Sequence, residues 1–87
     1  MVTGSNSVFE HDGRTFHLQA EDLGTEAKVF EVRVYDGGTV LWQKRVDYGE
    51  LVEQDLPKAD LESALRTKMD KTLLTVRAAI AKGKIGV

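Results

Sequence analysis

Apolar residues recur at two different periods along this chain, and the change of period divides it. From Ala27 to Tyr48 the run AKVFEVRVYDGGTVLWQKRVDY alternates. Phe30, Val32 and Val34 are separated by Glu31, Arg33 and Tyr35, and beyond Asp36-Gly37-Gly38 the residues Val40, Trp42, Val46 and Tyr48 fall at even spacing. That is the period of strands with one buried face. The glycine pair predicts a hairpin. A three-residue loop ending in a glycine with φ > 0 sets Val34 opposite Val40 and Val32 opposite Trp42, so both apolar rows share a face. A two-residue Gly37-Gly38 loop pairs Val32 with Gln43 and separates the rows, so burial selects the longer loop. Lys44 is the polar exception in the inner row, and near a sheet end its stem can cover Trp42.

An earlier hairpin is predicted from Val8–His11 and Arg14–Ala20, which flank Asp12-Gly13, a two-residue turn signal. Its register sets Phe9 against Phe16 on the core face, joined by Leu18, and Val8 against His17 on the other. Residues 1–7, with Gly4, Ser5, Asn6 and Ser7, read as a flexible lead-in to a single domain over 8–87. Glu21 to Glu26, with Gly24 among acids, is the turn into the central strands.

The period then lengthens. After a connector from Gly49 to Leu56, Leu61, Leu65, Met69, Leu73, Val76 and Ile80 follow at steps of three or four, the stripe of a helix that covers a sheet. The helix is predicted to start between Pro57 and Leu61, with Asp60 as a good N-cap, and to run to about Lys82, with Gly83 just past its end. The fold class that follows is α+β: a four-stranded antiparallel meander with one long C-terminal helix packed on one face. A second row changes the picture. Leu74 lies nine residues from Leu65 and so, at about 100° per residue, on the opposite side of the helix, and Ala78, Ala81 and Ile85 continue from it. No remaining segment except the two ends of the chain is available to cover that row, so a partner or a second copy is the economical reading.

Length sharpens that inference. A chain of 87 residues buries only roughly 60–65% of the surface that its unfolded form exposes, so its core is thin. Composition excludes more than it suggests. The absence of cysteine excludes a disulfide framework and a thiolate metal site. A net charge of −2 with both signs interspersed gives no basic footprint for duplex DNA and no field toward an anionic membrane. Without a signal peptide or a long apolar run, the chain is expected in the cytoplasm.

Candidate chemistry is sparse. His17 lies on the outer sheet face near Gln19, Glu21 and Asp22, but His11 projects from the opposite face, and such a pair makes poor co-ligands. Trp42 has the geometry of a base-stacking residue, but it alternates with Val40 and Val46 as a core residue does. Gly37-Gly38 is followed by a strand and lacks the Lys-Ser/Thr of a phosphate loop. Lys68, Lys71, Arg77, Lys82 and Lys84 form a basic flank diluted by Glu62 and Asp70, as on a solvated helix face. No nucleophile, base and orienting group can be placed together. No catalytic residue, cofactor or metal is expected.

The outer sheet face is less bland. Val8, Val29, Tyr35 and Leu41 share it with Arg33, Glu31, Gln43 and Arg45, the mixture of aromatic, aliphatic and arginine side chains found at interaction surfaces. The candidate interface is therefore Leu74, Ala78, Ala81 and Ile85 on the helix, with Tyr35, Leu41, Arg33 and Val29 on the sheet.

The run Asp12-Gly13 … Phe16-His17-Leu18-Gln19-Ala20-Glu21-Asp22 … Gly37-Gly38 … Lys44-Arg45 … Tyr48 … Leu51, ending at Gly83, resembles a family of small bacterial domains to which no activity is assigned. In that family an aromatic-His-x-Gln-Thr-Glu-Asp hairpin leads to a Gly-Gly hairpin, a Lys-Arg…Tyr segment and an amphipathic helix closed by glycine. The resemblance implies one sheet-plus-helix module and nothing of its chemistry. This chain has Thr72-Leu73 where relatives tend to show Gln-His.

These readings give a non-catalytic protein-interaction or adaptor module that binds a larger bacterial protein, or itself as a homodimer. The alternative is single-stranded nucleic-acid binding on the open sheet face through Arg33, Arg45 and Tyr35, against which the net acidity argues.

Overall fold

The computed structural model describes residues 4–85. Strands β1 (Gly4–His11), β2 (Arg14–Asp22), β3 (Val29–Asp36) and β4 (Thr39–Asp47) form one antiparallel sheet in the order β1-β2-β3-β4. A short helix, α1 (Gly49–Glu53), and a long one, α2 (Lys58–Ala81), follow. The protein is thus an α+β fold, four antiparallel strands and then a long C-terminal helix.

The first hairpin has the expected register, Phe9 opposite Phe16 and Val8 opposite His17. Asp12 and Gly13 both take positive φ, as a two-residue turn of matching twist requires. The strand is longer than its apolar pattern. Gly4 to Ser7, expected in a flexible lead-in, pair with Glu21, Ala20, Gln19 and Leu18 as part of β1. Backbone pairing is indifferent to side-chain polarity, and Ser5 Oγ also donates to Asp70 on α2 (2.6 Å).

The second hairpin corrects the predicted loop. Asp36 pairs with Thr39, so Gly37 and Gly38, at φ 57° and 87°, form a two-residue turn rather than a three-residue one. A bulge then inserts one residue: Tyr35 faces Val40, but Val34 faces Trp42, with Leu41 between. The extra residue shifts all later pairs by one, returning Trp42, Lys44 and Val46 to the side of Val34, Val32 and Phe30. The two apolar rows do share a face, but by a repaired register. Two side chains change sides as a result. Val40, expected inward, stands on the outer face and is 45% exposed. Leu41, expected on the outer face, is partly buried against the core.

The core is made of Phe16, Leu18 and Ala20 from β2, Phe30, Val32 and Val34 from β3, Tyr48, and the α2 stripe Leu65, Met69, Leu73, Val76 and Ile80. The helix does not lie centrally. It packs over β1 and β2, and α1 packs beside it, with Leu51 and Val52 at the core margin. Lys44 is therefore exposed in mid-strand opposite Val32, on an edge strand that the helix does not roof.

Helix α2 starts one residue beyond Pro57, and Asp60 lies in its first turn instead of capping it. Its end is as expected. Gly83 is left-handed (φ 73°), and the amides of Gly83 and Lys84 return to the carbonyls of Ile80 and Ala79, which closes the last turn.

Candidate functional site

Cross-strand partners share a face, so the register maps the uncovered side of the sheet as rows running across the strands. Nearest the two hairpin turns, Val8, His17, Tyr35 and Val40 form one row. Next come Asn6, Gln19, Arg33 and Gln43, and then Gly4, Glu21, Glu31 and Arg45. Val29 closes the face at the start of β3, half-buried. The structure thus brings together the predicted Val29, Arg33 and Tyr35, adds Val40, and removes Leu41.

Glu31 is 8% exposed although no element of the described fold covers this face. Its carboxylate is enclosed by Arg33, to which it is ion-paired, and by Arg45, whose Nε donates at 3.4 Å. Arg33 also reaches Glu21 at 3.6 Å. Its guanidinium is held above the ordinary arginine value, first by a side-chain hydrogen bond with Tyr35 and, against a desolvation effect that lowers it, by the charge of Glu31. Both arginines are thus engaged with carboxylates of their own sheet. A phosphate backbone on this face would compete with Glu31 for them.

On α2, Leu74 is 60% exposed on the side toward the β1 edge, with Ala78 and Ala81 also exposed. Ile85, predicted to continue that row, does not. The helix stops at Ala81, the left-handed Gly83 turns the chain, and Ile85 packs against the core margin beside Phe16 and Ile80. Leu74 borders a groove of about 220 Å³ lined by Ser5, Asn6 and Ser7 of β1 and by Asp70, Leu73 and Arg77 of α2. Arg77 lies over the Phe9 ring at 4.9 Å, and Arg66 donates to the Gly4 carbonyl at 3.1 Å. The flank of α2 that carries Arg66, Asp70 and Arg77 thus hangs over the β1 edge.

His17 is exposed within the outer row, and His11 stacks on Phe9 beside Asp12. Trp42 is half-buried against the core. Lys68 and Lys71 line an open groove of about 410 Å³ with Leu51, Ala64 and three threonines. Thr72 and Thr75 of that groove donate to helix carbonyls four residues back. Among the described residues no cluster of histidine and carboxylate side chains is able to hold a metal. No buried side-chain polar atom among them lacks a hydrogen-bond partner. Among them, too, no helix is long and apolar enough to cross a membrane.

Sequence reasoning missed two features. The first is a clasp: Tyr48 is buried, its hydroxyl donates to Asp22, and its amide donates to the Lys28 carbonyl, so the β2–β3 loop is tied to the start of α1. Burial and that bond raise the Tyr48 phenol above its usual value. The second is the setting of Leu74, four residues after Asp70 and three before Arg77. That spacing puts opposite charges on either side of it along one flank. No family model matches this chain, nor does any curated protein or solved structure.

Proposed function

We infer that this domain is a non-catalytic protein-interaction or adaptor module, acting in a bacterial cytoplasm by binding a larger protein or a second copy of itself. The observation that carries the reading is where its large apolar side chains stand: Val8 and Val40 end a row through His17 and Tyr35 on an uncovered sheet face, and Leu74 stands exposed on α2 beside the β1 edge. Isolated exposed apolar residues are ordinary. Two of them at the ends of one row across an open sheet, with His17 and Tyr35 between them and ion-paired Arg33 in the next row, have the make-up of a contact surface. The internal pairing of Arg33 and Arg45 with Glu31 favours this over a nucleic-acid face.

The test measures solution mass and partner enrichment together. Wild type, Tyr35→Glu and Leu74→Glu are each weighed by light scattering and used as bait, with captured proteins quantified. A second copy or one defined protein should be bound by wild type and lost, roughly tenfold, in one of the folded variants. A monomer that enriches nothing above a denatured-bait control overturns the reading. A labelled single-stranded oligonucleotide at low salt should show no binding at micromolar protein.

A further inference from the structure

The two edges of the sheet are treated differently. β4 carries the bulge at Leu41 and, in its second half, Lys44 and Arg45, features that blunt an edge against further pairing. β1, GSNSVFEH, has no lysine, arginine or proline and no bulge. In a two-residue hairpin the residues flanking the turn are hydrogen-bonded, so every second residue of β1 turns its amide outward. Counting back from His11, those are Glu10, Val8, Asn6 and Gly4, and Gly4 confirms the phase because its carbonyl is taken by Arg66 instead of the ladder. The edge amides of Asn6, Val8 and Glu10 face away from β2.

We propose that the occupant of this edge is a second copy of the chain, paired β1 to β1 antiparallel about a two-fold axis, to give one continuous eight-stranded sheet. This rests on the interaction reading above and names its partner. The axis can be placed from both layers independently. On the strand, pairing the outward amides about Val8 sets Val8 against its own copy and Asn6 against Glu10 of the other chain, with about six ladder hydrogen bonds.

On the helix, Arg66 lies by Gly4 and Arg77 by Phe9. Those eleven helical residues and five strand residues span the same length, about 16 Å each. Interpolating between them puts Leu74 abreast of Val8. The same axis therefore sets Leu74 against Leu74 of the other copy and Asp70 against the other Arg77, twice. An isologous contact must complement itself, and this one does in shape, apolarity and charge. It also covers Val8 and Leu74, the two most exposed large apolar side chains among the described residues, one on each side of the new junction.

The experiment is sedimentation equilibrium of the 87-residue chain across 1–200 µM (a chosen range, on the order of protein concentrations at which weak dimers populate), with circular dichroism as the fold check. Wild type is expected at twice the monomer mass at the upper concentrations. Val8→Pro, which removes one outward amide that the monomer does not use, and Leu74→Glu should each weaken self-association at least tenfold while the monomer stays folded. Should Val8→Pro fail to fold, Val8→Lys serves in its place. Asp70→Arg should weaken association and the double variant Asp70→Arg/Arg77→Asp should recover it. A wild type that stays monomeric at 200 µM overturns the proposal but not the interaction reading, which then needs a different protein as partner. A dimer insensitive to both β1 and Leu74 substitutions overturns it too, and moves self-association to the open face around Tyr35.

Discussion

The two hairpins have turns of the same length and the same φ signs, yet only one of them keeps a simple register. In β1–β2 the two-residue turn and the apolar alternation agree, so Phe9, Phe16 and Leu18 reach the core without adjustment. In β3–β4 they conflict: left alone, the Gly-Gly turn would put Trp42 and Val46 on the solvent side of a sheet whose inner row is Phe30, Val32 and Val34. The bulge at Leu41 absorbs the conflict. Turn chemistry is local and burial is collective; where they disagree, the sheet inserts one residue instead of giving up either. The placement of α2 follows the same division, since it roofs the regular hairpin and leaves the bulged one partly open.

The largest test of that contrast compares core truncations. Phe16→Ala, under the helix, should cost about 3–5 kcal/mol in urea unfolding, and the half-buried Trp42→Ala clearly less. Equal losses would mean that the bulged hairpin is as deeply packed as the regular one. Deleting Leu41 should cost no more than about 1–3 kcal/mol, the burial of its own side chain, because the register without the bulge still sets Trp42 opposite Val34 and Val46 opposite Phe30; a larger loss would show that the bulge itself is needed to hold the edge strand.

Smaller effects follow. Gly38→Ala and Gly13→Ala, both at positive φ, should each cost about 1–2 kcal/mol. Gly37→Asn, which copies the polar first turn residue of the other hairpin at a φ that asparagine tolerates, should move stability by less than about 0.5 kcal/mol. At the seam between the hairpins, Tyr48 supplies a pH test. Its phenol holds its proton in the folded state to a higher pH than the unfolded chain's ordinary value of about 10. Stability should therefore be constant in this respect below that value and fall as pH rises above it, because the native state then binds the extra proton. In Tyr48→Phe that alkaline loss should shrink by one proton's worth of slope, with about 1 kcal/mol lost at neutral pH from the missing bond to Asp22.

Much of the fold was legible in the residues themselves. The period of two, the Asp12-Gly13 and Gly37-Gly38 pairs and the Leu65-to-Ile80 stripe determine four strands and a long helix closed at Gly83, because each depends on neighbours within a few positions. The candidate surface was legible only in part. Tyr35, Arg33, Val29, Leu74, Ala78 and Ala81 stand on the expected sides, since one register or one helical wheel places them.

Leu41, Val40 and Ile85 do not, and each depends on something no local pattern contains. For the first two it is a bulge selected by the burial of the whole inner face, and for Ile85 a left-handed turn that offers an apolar residue a place beside Phe16. Tertiary structure alone decided that the helix lies over β1 and β2, that Glu31 is enclosed by two arginines, and that Asp70, Leu74 and Arg77 line a groove with Ser5, Asn6 and Ser7 of β1. Local spacing sets which residues can share an element, but which elements share a boundary is settled by how the whole apolar surface finds cover.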